Sequence, residues 1–109
     1  MTATPTKQHL STGRRSLVET LQRINFGRIE GLVIRGGEPV LDPMPRIVHE
    51  FKFQADNGPR PESAKSDFLL KRQVVELFEL LDRLGDGVIQ SLEIQRGLPF
   101  RMTVEEVLA

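Results

Sequence analysis

The sequence contains no cysteine, tryptophan or tyrosine, and it has no excess of either charge. With 15 Lys and Arg against 15 Asp and Glu, the formal net charge at pH 7 is zero. Because a balanced chain produces no strong overall field, its charge does not direct it to nucleic acid or to an anionic membrane. The absence of cysteine excludes disulfides, thiolate nucleophiles and cysteine metal sites, and it favours a reducing compartment such as the cytoplasm.

Long hydrophobic runs are absent as well. No stretch reaches the roughly 18 apolar residues that a membrane helix needs, and the first residues lack the apolar segment of a secretory signal. We therefore expect a cytoplasmic protein without membrane contact. Its 109 residues, of which 39% are hydrophobic and 28% charged, are typical of one ordinary globular domain.

The sequence matches itself at an offset of 60 residues. Residues 18–42 and 78–102 share nine identical residues in 25 pairs, where average composition would give roughly one or two. The identical pairs are Glu19/Glu79, Leu21/Leu81, Arg23/Arg83, Gly27/Gly87, Ile29/Ile89, Leu32/Leu92, Ile34/Ile94, Gly37/Gly97 and Pro39/Pro99. This pattern predicts two tandem copies of one structural unit.

Each copy begins with a helical pattern. Apolar residues recur at the spacing of one helix face, and in the two copies they are Leu17, Val18, Leu21, Ile24 and Leu70, Val74, Leu77, Phe78, Leu81, Leu84. The second helix is expected to be the longer, with Ser66 as its N-cap. A glycine-containing break at 25–27 or 85–87 then predicts the helix end.

A strand and a returning strand are expected after each break. Leu32/Ile34 and Leu92/Ile94 alternate with period two, and glycines near 37 and 97 predict the turns. A third strand is expected over residues 46–53, with Ile47, His49, Phe51 and Phe53 on its apolar side. The six phenylalanines are expected to face mainly the core.

The expected organisation is a flexible tail at 1–13, a first α-β-β unit with an extra strand at 14–53, a linker at 54–65 and a second α-β-β unit at 66–109. The two units form one domain of the α+β class. They are related by a pseudo-twofold axis, with one antiparallel sheet and both helices on one of its faces. Because the two units can pair with each other within one chain, we expect a monomer with an internal pseudo-dimer or a weak homodimer.

The segment Phe26-Gly27-Arg28-Ile29, followed by Gly36 or Gly37, resembles the small bacterial YezD-like family. The resemblance covers about 25 residues of each repeat. It implies a bacterial protein with an α-β-β building block, and it implies no activity, because that family has no established function. The proline-rich run after Gly37 departs from the charged return strand of the family.

Residues 82–93 resemble a calcium-binding EF-hand loop. Asp82, Asp86, the carbonyl of Val88 and Glu93 occupy ligand positions of that loop, and Gly87 occupies its sharp turn. Leu84, however, stands where an oxygen ligand is expected, and the residues from Val88 onward alternate as in a strand. The alternatives are thus a calcium site and a plain helix-to-strand turn.

Basic residues are concentrated in the first part of the chain, where residues 1–60 hold nine Lys and Arg against six Asp and Glu. If they lie on one side of the first unit, they can meet nucleic-acid phosphates. The candidate residues are Arg14, Arg15, Arg23, Arg28, Arg35 and Arg46. The lack of tyrosine and tryptophan for base stacking weighs against this function, and solvated surface arginine is the alternative.

No pattern of catalytic residues is found. There is no nucleophile elbow or phosphate loop, and the lone His49 on an apolar strand face is typical of a packing residue. We therefore expect no enzyme, no catalytic residue and no cofactor apart from the calcium alternative. The function predicted from sequence is a non-catalytic protein-interaction or scaffold module that binds another protein, with a nucleic-acid-binding regulator and a calcium-binding protein as alternatives.

Overall fold

The structure is a computed structural model that describes residues 10–53 and 71–105, and two helices and five strands are formed within these two segments. In chain order they are α1 (Thr12–Ile24), β1 (Gly27–Arg35), β2 (Glu38–Val40), β3 (Arg46–His49), α2 (Arg72–Leu84), β4 (Gly87–Gln95) and β5 (Leu98–Val104). Neither helix of these two segments has the length and apolar character required to cross a bilayer.

All strand pairs are antiparallel, and β1 and β4 form the centre of the sheet. The order is β2-β1-β4-β5, and β3 pairs with the other half of β1, next to β2 along the same edge. Two helices with an antiparallel sheet confirm the α+β class predicted from sequence.

Corresponding elements of the two halves lie 60 residues apart. This holds for both bounds of α1 and α2, for both bounds of β1 and β4, and for the first residues of β2 and β5. In the central pair, Gly27 lies opposite Ile94 and Ile34 lies opposite Gly87, so corresponding positions exchange places across the pair. Such a register is compatible with a pseudo-twofold axis, and the tandem duplication remains a prediction.

A single apolar core lies between the helices and one face of the sheet. Its buried side chains come from α1, α2, β1 and β4: Leu17, Val18, Leu21, Ile24, Ile29, Leu32, Ile34, Val74, Leu77, Phe78, Leu81, Ile89, Leu92 and Ile94. In both central strands the alternation of buried and exposed positions shifts in the middle. The buried positions are 29, 32 and 34 in β1 and 89, 92 and 94 in β4. Because both halves share this core, each helix packs its apolar face against the sheet.

The hairpin turn of each half is bonded to the helix end of the other half. The Gly37 N–H donates to the Gly85 carbonyl at 2.8 Å, and the Gly97 N–H donates to the Asn25 carbonyl at 2.9 Å. Gly37 and Gly97 have φ of 77° and 74°, in the left-handed region that favours glycine. These two bonds connect the halves in a reciprocal way.

The helix predictions need two corrections. Both helices have 13 residues, so the second is not longer than the first. α2 begins after Lys71, whose side chain makes no capping hydrogen bond. Ser66, the predicted N-cap, lies outside the described residues, as does Leu70.

α1 already begins at Thr12 with Ser11 as its N-cap, so the predicted tail of 1–13 is too long. The predicted linker, 54–65, also lies outside the described residues.

The third strand is shorter than the alternating pattern predicted. β3 ends at His49, which pairs with Gly27, the first residue of β1, so later residues have no strand opposite them. Phe51 is therefore exposed, and Phe53 is 96% exposed. Of the phenylalanines within 10–53 and 71–105, only Phe78 is buried, so the prediction of mainly core-facing phenylalanines was wrong.

Candidate interaction site

An apolar groove of about 140 Å³ runs between α2 and the edge strand β5. The residues that line it are Gln73, Glu76, Leu77, Leu80, Leu92, Pro99, Phe100, Arg101 and Met102. Leu77 and Leu92 belong to the buried core and form the floor, whereas Leu80 is 41% exposed at the rim. We call this feature the α2–β5 groove.

Phe100 reaches the groove because β5 is irregular. Arg101 pairs with Glu93 and Pro99 pairs with Ile94, so Phe100 has no residue opposite it in β4. An extra residue of this kind bends the strand and redirects its side chains. The Phe100 side chain lines the groove and is 54% exposed, and the Arg101 guanidinium lies 5.3 Å from its ring centroid.

A second, open cavity of about 410 Å³ adjoins the groove. Its lining residues are Phe26, Lys52, Gln73, Gln95, Arg96, Leu98, Pro99 and Phe100, of which Gln73, Pro99 and Phe100 also line the groove. The two charged residues of this set, Lys52 and Arg96, are both cationic. The Lys52 Nζ lies 4.4 Å from the centroid of the Phe26 ring. We call this feature the basic cavity.

One difference between the halves lies beside the groove. Gly13 occupies in α1 the position that Gln73 occupies in α2, and a Cβ added to Gly13 would lie 3.2 Å from the Pro39 carbonyl oxygen. α1 therefore lies close to β2, and a side chain at position 13 would require β2 to shift by a few tenths of an ångström. In the second half, the side chain of Gln73 and the corresponding Pro99 line the opening instead.

Polar contacts add to the closure of the first half. The Ser11 hydroxyl donates to Glu38 on β2, and the Arg14 Nε lies 3.5 Å from the other carboxylate oxygen of Glu38. In the second half the corresponding residues are Lys71, Val74 and Leu98, and these side chains cannot form the same contacts. These contacts hold α1 to β2 in the first half.

The six arginines of the nucleic-acid prediction lie on different parts of the molecule. Arg14, Arg15 and Arg23 belong to α1, whereas Arg28 and Arg35 belong to β1 and Arg46 to β3. Arg28 alternates with buried Ile29 and therefore lies on the sheet face away from the helices. The structure does not gather the six on one side, and nucleic-acid binding stays a prediction.

Several of these arginines are bound to carboxylates. Arg28 and Arg46 both contact Glu30, at 2.7 and 3.4 Å. The hydrogen bond from Arg28, together with the charges of Arg28 and Arg46, lowers the pKa of Glu30 below its ordinary value. The same hydrogen bond raises the pKa of Arg28. Arg14 is held by Glu38 and Asp82.

The residues of the calcium prediction also have partners within the protein. Asp82 binds Arg14, and an Asp86 carboxylate oxygen accepts a hydrogen bond from the Gly36 N–H at 2.7 Å. Val88 and Glu93 lie in β4, where Glu93 is 3.7 Å from Arg101. Within residues 10–53 and 71–105, no three side chains of His, Cys, Asp or Glu are grouped so that they could share a metal. Calcium binding is untested by this arrangement and stays a prediction.

His49, expected on the apolar side of its strand, is exposed and stacks on the Phe51 ring with centroids 5.9 Å apart. The groove was not predicted from the sequence, although two signals for it were present. At the 60-residue offset, Gly13 is replaced by Gln73 and Val40 by Phe100. Both replacements put a larger side chain between helix and strand.

The chain matches no protein-family model, no curated protein and no solved structure.

Proposed function

We propose that this protein is a non-catalytic interaction module that binds a partner protein through the α2–β5 groove. The observation that carries the proposal is the position of two partly exposed apolar side chains, Leu80 and Phe100, on either side of an apolar groove. Exposed apolar side chains gathered at one place are typical of protein interaction sites, and aromatic residues contribute strongly to their binding energy.

The groove is supported by rigid elements. Its floor, formed by Leu77 and Leu92, is part of the core, and its two walls are a helix and a hydrogen-bonded strand. A site built on such elements loses little conformational entropy when it binds. We further propose that the protein is a monomer, so that a partner can reach the groove. We also propose a cytoplasmic location, which the cysteine-free sequence favours.

Affinity capture with matched variants tests the proposal. Tagged wild-type protein, Leu80→Ala and Phe100→Ala are each used to capture proteins from cells, and the captured proteins are quantified by mass spectrometry. Partners that use the groove should be depleted at least about tenfold by either variant, the effect expected for a central apolar contact.

Val88→Ala is the matched control. Val88 is 47% exposed, similar to the two groove residues, but it is absent from the groove lining. Capture by this variant should equal capture by the wild type. A set of partners that is retained equally by all four proteins would refute the groove as the binding site.

A further inference from the structure

We infer that the partner presents an extended acidic segment, in which an apolar side chain enters the α2–β5 groove and neighbouring carboxylates lie over Lys52 and Arg96. This inference rests on the proposed function and adds the chemistry of the partner. It combines the apolar groove with the adjoining basic cavity into one site.

The groove selects the apolar part of the segment. Leu80, Pro99 and Met102 supply aliphatic surface for a side chain such as Leu, Ile or Met, above the buried Leu77 and Leu92. Removing this surface from water is favourable in proportion to the apolar area covered. A charged or strongly polar side chain would instead lose its hydration there without a matching partner.

The basic cavity selects the acidic part. Its two charged lining residues, Lys52 and Arg96, are both positive, so a carboxylate beside them is attracted, whereas a Lys or Arg of the partner is repelled. The amides of Gln73 and Gln95 add hydrogen-bond donors along the same wall. Charge complementarity therefore favours Asp and Glu at this end of the segment.

The two sites are close enough for one short segment. They share Gln73, Pro99 and Phe100, so a chain that leaves the groove enters the basic cavity directly. An extended chain advances about 3.3 Å per residue, so a carboxylate within a few residues of the apolar anchor can reach the cations. The Phe100 ring lies between the two sites and contacts both parts.

A single-stranded nucleic acid fits this surface less well. Its affinity depends on several phosphate contacts, whereas the basic cavity has two cations, Lys52 and Arg96, and Arg101 of the groove is paired with Glu93. Glu76 in the groove wall is paired with Arg72 at 3.0 Å, so it does not distinguish a phosphate from a carboxylate.

Selection from a random peptide library displayed on phage tests the inference. Wild-type protein should enrich peptides in which Leu, Ile, Phe or Met is followed or preceded within a few residues by Asp or Glu. The double variant Lys52→Glu/Arg96→Glu should lose the acidic preference and keep the apolar one. Arg35→Glu, which reverses an exposed arginine on β1 away from the site, should select the same peptides as the wild type.

Fluorescence anisotropy then measures affinity with one enriched peptide. Charge reversal of Lys52 and Arg96 should weaken peptide binding by about tenfold. High salt should weaken peptide binding to the wild-type protein. Replacing the acidic residues of the peptide by Lys should weaken its binding to the wild-type protein equally. Circular dichroism checks that the variants are folded. Labelled oligothymidylate is the competing probe.

The outcomes separate this inference from the proposed function. If the selected peptides show no preference for Asp or Glu but fail to bind Leu80→Ala, the inference is overturned and the groove remains a protein-binding site. Peptides whose binding is unaffected by both the Leu80 and the Lys52/Arg96 variants would overturn both. Oligothymidylate that binds more tightly than the best peptide, and is lost on charge reversal, would overturn the inference in favour of nucleic acid.

Discussion

Arg14 in the first turn of α1 binds Asp82 in the last turn of α2 and so connects helices that lie far apart in the sequence. The Arg14 guanidinium also donates to the Gly37 carbonyl at 2.9 Å and lies 5.0 Å from the centroid of the Phe78 ring. A cation near a helix N-terminus and an anion near a helix C-terminus are each disfavoured by the helix dipole. Their pairing offsets both effects.

We expect Arg14→Met to lower the free energy of unfolding by about 1–3 kcal/mol, because it removes two charge-assisted hydrogen bonds from a side chain that is only 16% exposed. Met retains a flexible apolar stem beside Phe78. Asp82→Asn should cost less than about 1 kcal/mol, since Asp82 is 66% exposed and can be solvated. Urea denaturation followed by circular dichroism measures both.

Arg72→Met provides the control for this comparison. Arg72 forms an exposed ion pair with Glu76 one helical turn away, so its loss should change stability by no more than about 0.5 kcal/mol. Equal costs at Arg14 and Arg72 would show that the contact between the helices contributes nothing beyond a surface pair.

Gly27 and Gly87 correspond in the two halves but should differ in their tolerance of alanine. A Cβ at Gly27 would lie 2.1 Å from the Val48 carbonyl oxygen, and Gly27 has a φ of 153°. Gly27→Ala must therefore displace β3 from β1, and we expect it to cost more than about 2 kcal/mol.

Gly87→Ala should cost less than about 1 kcal/mol. The atom nearest to its new Cβ is the Leu84 Cδ1 at 3.1 Å, the end of a flexible side chain that can move. Thermal unfolding of both variants compares the two positions. A larger destabilisation by Gly87→Ala would contradict the register that places β3 against Gly27.

Leu80 and Leu81 are neighbours on α2 with different environments. Leu81 is fully buried in the core, so Leu81→Ala should lower the free energy of unfolding by about 2–5 kcal/mol. Leu80 lies at the rim of the groove, and Leu80→Ala should cost less than about 1 kcal/mol. Urea denaturation measures both variants, and a folded Leu80→Ala protein is also what the capture experiment requires. A loss at Leu80 as large as that at Leu81 would place Leu80 in the core.

The Arg28–Glu30 pair should make stability depend on acid pH. Because the pKa of Glu30 is lowered in the folded state by the Arg28 hydrogen bond, its contribution is complete above the pKa of the unfolded chain. The contribution is lost as the pH falls through the lowered folded value. Glu30→Gln should therefore show a shallower loss of stability below about pH 4 than the wild type.

The measurement is the urea midpoint as a function of pH, with carboxyl-carbon NMR titration of Glu30. Arg28→Gln should bring the pKa of Glu30 back toward its ordinary value. The control is Glu79→Gln, on the exposed face of α2, which should keep the acid dependence of the wild type. An unchanged Glu30 titration in Arg28→Gln would contradict the assigned hydrogen bond.

The helices and the central strands were predictable because their signals are local. The stripe of Leu17, Val18, Leu21 and Ile24 is a property of helical spacing, and the glycine breaks follow from backbone conformations that other residues rarely adopt. The prediction failed at residues 50–53, where the alternating pattern continues although no partner strand is present. The end of a strand depends on its neighbour in the sheet, which local pattern does not specify.

The candidate site depended almost entirely on tertiary structure. From the sequence, calcium was predicted at acidic residues of 82–93 and nucleic acid at arginines of the first half, whereas in the structure Asp82 and Arg14 bind each other. Leu80, Phe100 and Gln73 carry no motif and are separated by up to 27 residues. They come together because β5 returns beside α2 and places an unpaired Phe100 in the opening.

The sequence by itself determined the α+β class, the two helix faces and the glycine turns, because helix and strand periodicity and the freedom of glycine act between near neighbours. Tertiary structure decided that β1 and β4 pair at the centre, that each turn is bonded to the opposite helix end, and that a groove lies between α2 and β5. These features depend on how closely distant backbones approach, which residues far apart in the sequence decide together.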